Sequence, residues 1–97
     1  MYARVTTVAV RPDKVNDVVT IFQGSIVPDV TAAQGCKGIS LLVDPTTGNG
    51  LSITYWDSAA NAQAYESSGG YQQQVAKVAQ YFAGPPTVAT YEVPVRS

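Results

Sequence analysis

The chain has 97 residues, 45% of them hydrophobic, with a net charge of −1 and only 13% charged residues. That length suits one small domain over residues 1–97, and the sparse, balanced charge argues against a nucleic-acid surface and against polybasic membrane attachment. Histidine is absent and Cys36 is the single cysteine, which removes the commonest general base and haem or metal ligand and excludes an intrachain disulfide or a cysteine-based zinc site.

From the N-terminus, Tyr2 to Arg11 alternates as a strand, with Tyr2, Thr6, Val8 and Val10 on one side and Ala3, Val5, Thr7 and Ala9 on the other. Pro12 ends it, and Asp13 is placed to cap a helix. Val15, Val18, Val19, Phe22 and Ile26 recur at helical spacing and predict a core face. Gly24 and Pro28 predict a kink near Val27; Val30 and Ala33 then resume the face, and Gly35 supplies a left-handed cap. Cys36 to Asp44 reads as the second strand. The turn-rich run Asp44 to Gly50 predicts a hairpin into a third strand, Leu51 to Trp56. Ser58 N-caps a second helix that is interrupted at Ser67–Gly70 and restarts at Tyr71, with Val75, Val78, Ala79 and Phe82 on one face. Gly84-Pro85-Pro86 stops it. Thr87 to Val95 is the last strand, in which Pro94 marks an edge or a strand end.

The order βαββαβ is that of a ferredoxin-like α+β domain, an antiparallel sheet with helices on one face. The uncovered face would carry some of Val5, Leu42, Trp56 and Val88, too apolar for water, so a homodimer packed sheet to sheet is expected. No apolar run approaches the roughly 20 residues of a membrane span. The first residues read as a strand rather than a signal peptide, and the lone cysteine suits a reducing cytoplasm.

Gly35-Cys36-Lys37-Gly38, the run LSITYWDSAANAQAYE from Leu51 and the closing TVATYEVPV from Thr87 resemble the antibiotic-biosynthesis monooxygenases, dimeric α+β barrels. The resemblance implies a pocket between sheet and helices of each subunit, and cofactor-independent oxygenation of a small aromatic, a quinol or polyketide-like molecule. The haem-degrading branch of that family has an Asn on the first strand, a helical Trp and a His. Those places fall at about Val5, at Tyr65 and at Val75 here, so the expectation is no haem and no metal, hence no cofactor. The helix position that carries His in many other members is also empty of one, and no general base is identified.

Four residues stand out as substrate-binding candidates. Trp56 is either a pocket wall or, as more often at a strand end, a core anchor. Tyr65 holds the functional helix position implied by the resemblance and is the one catalytic candidate; its phenol would orient a ligand oxygen or bond a backbone group. Tyr71 follows Gly69-Gly70, at a pocket mouth or in the packing. Asn61 points at ligand or reaches back to the helix cap. Glu66 reads as solvated, one residue and about 100° from Tyr65. Arg4 reads as a polar residue at the sheet periphery in preference to an anchor for an anionic ligand. The alternative to the enzyme is a non-catalytic small-ligand-binding or structural dimer of the same fold.

Overall fold

The computed structural model describes residues 1–97. Strand β1 (Tyr2–Ala9) lies inside the sheet, antiparallel to β3 (Asn49–Trp56) on one side and to β4 (Thr87–Glu92) on the other, and β2 (Cys36–Val43) pairs with β3. The strand order β2-β3-β1-β4 is the ferredoxin-like arrangement. Helices α1 (Val15–Ile21) and α2 (Val27–Thr31) follow β1, and α3 (Ala59–Ser67) and α4 (Gly70–Val78) follow β3. Val15, Val18, Phe22, Ile26, Val30 and Val78 from the helices close a core against Val8 and Val10.

Between α1 and α2 the chain makes a π turn, Phe22–Ile26, where a kink was expected. Pro28 has no N–H for the Gly24 carbonyl and its ring crowds that position. Widening the turn, so that the Val27 N–H bonds the Phe22 carbonyl, keeps the helical path unbroken. Asp13 is not a cap; it sits within a 3₁₀ turn, Pro12–Lys14, and makes no capping bond. Ser58 is a cap: its side chain accepts from the Asn61 N–H at 3.2 Å. Strand β3 starts at Asn49, earlier than the turn residues suggest, because Asn49 and Gly50 pair with Ala9 and Val8. Strand β4 stops at Glu92, ahead of the donor-less Pro94, and forms an edge.

Residues directly opposed across antiparallel strands share a face. Arg4 is opposed by Thr54 and Thr90, Thr6 by Ser52 and Val88, and Tyr2 by Trp56. These residues share the face of the buried Val8, beneath the helices, so Trp56 and Val88 do not belong to the open face as expected. That face carries Val5, Leu42, Leu51, Ile53, Tyr55, Ala89 and Tyr91. Leu42 is 48% exposed and Tyr91 57%, and Arg96 lies 4.3 Å over the Tyr55 ring.

The β2–β3 hairpin depends on Gly48, whose φ of 80° is a left-handed value. Its carbonyl accepts from the Val10 N–H at 2.8 Å, and a Cβ would run into the Val10 carbonyl. Gly48→Ala is therefore expected to lower stability by about 2–3 kcal/mol in urea denaturation. Gly24→Ala, where a Cβ meets nothing within 4 Å, is the matched control and should leave the midpoint unchanged or raise it.

Candidate functional site

Between sheet and helices lies a mostly apolar cavity with a polar floor. The floor is built by the two central strands: Arg4 and Thr6 from β1, Ser52 and Thr54 from β3, in two cross-strand pairs. Val18, Phe22, Ile26 and Val30 form one wall and Tyr65, Tyr71, Gln74 and Val75 another. The cavity is small, about 60 Å³, well below the several hundred Å³ of a typical ligand pocket, so a bound ring needs its walls to move apart.

Arg4 dominates this floor. It is 3% exposed, so it is not a peripheral strand residue. Its Nη1 donates to Glu66 Oε2 at 3.0 Å, and its guanidinium carbon lies 4.9 Å from the Tyr71 ring centroid and 5.9 Å from that of Tyr65. Glu66 is thus tied to the site, though half exposed, rather than simply solvated. A buried cation needs such partners, and two aromatic faces with one carboxylate provide them. Its second nitrogen, Nη2, is buried with no hydrogen-bond partner.

Gln74 supplies the complementary orphan. It is 8% exposed and its Oε1 has no partner. Its Nε2 donates to Asp29 Oδ2 at 3.3 Å, and Lys77 Nζ donates to the same oxygen at 2.6 Å. The Lys77 ammonium, helped by Gln74, holds the Asp29 carboxyl below its ordinary range. An ionised carboxylate only accepts, so Gln74 must turn its NH₂ to Asp29, leaving Oε1 for the other side.

Of the four residues singled out in the sequence, the structure brings Tyr65 and Tyr71 to the cavity and leaves Trp56 and Asn61 off its wall. Trp56 is wholly buried behind Tyr65, ring centroids 4.9 Å apart, and its Nε1 donates to Thr54 Oγ1 at 2.9 Å. It is a packing residue that fixes the Tyr65 ring. Asn61 is spent on the strand–helix corner, donating from Nδ2 to Asp57 Oδ1 at 2.7 Å; Gly35 packs so tightly there that any Cβ would strike both side chains. Thr6 and Gln74 are the cavity residues that sequence reasoning missed, and Arg4, weighed as a ligand anchor, was placed at the sheet periphery instead. The available signal was a charged residue in the inward register of β1.

Burial pushes the Tyr65 phenol up to about 12, against the opposing pull of Arg4, and burial likewise raises Tyr71, opposed by Thr6 and Arg4. Both phenols therefore stay protonated at neutral pH and serve as donors, not as bases.

A model of the family described as antibiotic biosynthesis monooxygenase matches residues 1–77. The chain belongs to the antibiotic biosynthesis monooxygenase family. Two uncharacterised proteins from Mycobacterium tuberculosis strains are each 28% identical over 97 residues; the match takes in 96% of this chain but 41% of theirs, so the chain spans well under half the length of these relatives. A Nitrosomonas europaea structure assigned to the same family superposes with a TM-score of 0.79 at 18% identity, covering 98% of this chain and 100% of that one. A Bordetella bronchiseptica structure of the family matches with a TM-score of 0.79 at 21% identity and 97% coverage of both chains. A Streptomyces coelicolor monooxygenase, solved in complex with nanaomycin D, gives 0.79 at 12% identity, covering 99% and 89%. At these identities the structures establish the shared fold.

Haem, which one branch of the antibiotic biosynthesis monooxygenases degrades, does not fit the residues present. Val75 and Tyr65, the cavity-lining residues at the positions where the resemblance puts that branch's His and Trp, carry no atom that would ligate haem iron as an imidazole does. No three His, Cys, Asp or Glu side chains are grouped to hold a metal ion.

The raised Tyr65 phenol has a direct signature. The folded protein keeps its proton from pH 10 to about 12 whereas the unfolded chain releases it near 10, so this group's contribution is complete below pH 10 and lost as pH rises toward 12. In a tyrosinate absorbance titration, Tyr65→Phe should remove one phenol ionising at about 12. Loss of a phenol ionising near 10 instead would contradict the burial argument.

Proposed function

We propose that the chain is a cofactor-independent monooxygenase of a small phenol or quinol that binds between sheet and helices. The observation that supports it is the cavity itself: apolar and aromatic walls over a polar floor of Arg4, Thr6, Ser52 and Thr54. In such chemistry the ionised ring gives an electron to O₂. Overall, a phenol with a free ring C–H and O₂ yield a quinone and water, with one oxygen atom entering the ring and the other leaving as water. No external reductant is needed. The protein's part is to bind the ring, favour its anion and exclude water. Tyr65 and Tyr71 supply ring faces and O–H donors, and the Arg4 cation favours the ionised ligand over its protonated form. Lacking a base in the wall, the site relies on a substrate acidic enough to ionise there.

A non-catalytic ligand-binding module of the same fold is the competing reading, favoured by the two phenols being pushed away from basicity. Oxygen uptake with a panel of single-ring and two-ring quinols separates them. The enzyme should consume O₂ faster than the buffer blank, and Tyr65→Phe should cut kcat/KM about tenfold while leaving the fold intact. Uptake at the blank rate across the panel would leave the binding module standing.

The open sheet face supports a second proposal, that two copies pack face to face. Leu42 and Tyr91 are too exposed on an otherwise apolar sheet for a lone chain. Light scattering should give about twice the 10.2 kDa chain mass, and Leu42→Lys combined with Tyr91→Lys should return the single-chain value. A wild-type monomer at micromolar concentration would refute it.

A further inference from the structure

The two helical walls of the cavity are held to the fold in different ways. On the α3–α4 side, Glu66 accepts from Arg4 on β1. Just past α4 the Arg11 N–H bonds the Tyr81 carbonyl and the Ala83 N–H bonds the Ala9 carbonyl. The opposite wall, Val15–Thr31, makes no hydrogen bond to the sheet; Val15, Val18, Phe22, Ile26 and Val30 hold it there by apolar contact alone. Its side-chain bonds to the rest of the chain all run to α4. Lys77 Nζ donates to Asp29 Oδ2 at 2.6 Å and to the Ser25 carbonyl at 3.4 Å, and Gln74 Nε2 donates to the same Asp29 oxygen at 3.3 Å. The π turn Phe22–Ile26 interrupts the helical ladder within this wall, so its two helical pieces do not behave as one rigid rod.

We propose that the cavity widens by movement of the segment Phe22–Thr31 away from α4, and that Lys77, bonded to Asp29 and to the Ser25 carbonyl, is the latch that holds it shut. The segment carries both halves of the device. Phe22, Ile26 and Val30 line the cavity, while Ser25 and Asp29 reach across the seam to α4. Lys77 in turn stands next to Val78 and one turn from Gln74, which line the facing side. The latch lies at the surface, with Asp29 half exposed. An ion pair in that setting holds by a factor of about two to five and weakens in salt, which suits a contact that must break often. The inference concerns which wall moves and what restrains it, so it holds whether the cavity serves an oxygenase or a binding module.

The chain contains its own reporter. Cys36, the single cysteine, is partly buried on β2, the strand under α2, and packs against the core cluster that includes Ile26 and Val30. Lifting Phe22–Thr31 uncovers it. The measurement is the rate at which its thiol reacts with 4,4′-dithiodipyridine, an uncharged disulfide reagent that releases an absorbing thiopyridone. Wild type should react far more slowly than the urea-unfolded chain, at a rate that stays flat over low urea concentrations, because a local opening exposes little surface. At low salt Lys77→Met and Asp29→Asn should each raise that flat rate about three- to fivefold. Sodium chloride at about 0.5 M should raise the wild-type rate similarly and leave both variants unchanged. Both variants alter exposed or part-exposed side chains, and a urea midpoint for each confirms the fold. A wild-type thiol as reactive as in the unfolded chain, a rate that climbs steeply from the first additions of urea, or variants that react at the wild-type rate would each overturn the latch. No ligand enters the measurement, so blank-rate oxygen uptake leaves it intact, and its failure leaves the reading of the cavity open.

Discussion

A guanidinium buried in the middle of a small α+β domain sets the terms for everything around it. Arg4 cannot reach solvent from the centre of β1, so its charge must be balanced where it stands. The Glu66 carboxylate takes one nitrogen, and the guanidinium carbon lies over the rings of Tyr71 and Tyr65. These partners come from α3 and α4, the helix pair interrupted at Ser68 and Gly69. Gly69, at φ 88°, turns the chain there, which lets Tyr65 and Tyr71 approach Arg4 from two directions. Gly70 packs so closely on the Tyr65 ring that a Cβ would come within 2.8 Å of it.

Behind this cluster the Trp56–Tyr65 contact and the strand–helix corner act as one support. Trp56 fills the last position of β3 and satisfies its N–H on Thr54, two residues back on the same face. Asp57 and Asn61 lock the corner, and Ser58 caps the helix that carries Tyr65. A functional side chain is only as well placed as the groups that hold it. Here the most conspicuous aromatic of the sequence is such a support, and its ring meets the cavity only through Tyr65.

The floor of the cavity breaks the pattern that a sheet packed under helices otherwise keeps. Inward positions of the central strands are expected to be apolar, yet Arg4, Thr6, Ser52 and Thr54 occupy four of them, flanked by Val8 and Trp56. Small hydroxyl residues leave space as well as polarity, so the cavity exists because these side chains do not fill it. Gln74, on the wall, extends the polar group to α4. Departures of this kind cost stability and persist where a site needs them.

Period and punctuation in the sequence were enough for the architecture. Strand alternation, the helical spacing of Val15 to Ile26, the glycine and proline breaks and the Ser58 cap act locally, over a few residues, and they carried the βαββαβ order and the two-part helices; the family resemblance came from the residue runs at Gly35, Leu51 and Thr87. The exact ends of β3 and β4 and the π turn depended on pairing and on Pro28's clash, which are local only in part. The site was different. Tyr65 was legible through the helix position that the resemblance marks and Tyr71 through the Gly69-Gly70 break before it, but Trp56 and Asn61 drew attention while their partners, Thr54 and Asp57, had already claimed them. Arg4 was passed over because a lone charge on a strand is usually at an edge, and β1 becomes a central strand only when β3 and β4 pair on its two sides. What brings Arg4 to Glu66, 62 residues away, and orients Gln74 through Asp29, 45 residues away, is the stacking of helices on that sheet. Such long-range pairings leave no periodic trace in the chain, and so tertiary structure alone decided which polar groups would face one another across the cavity.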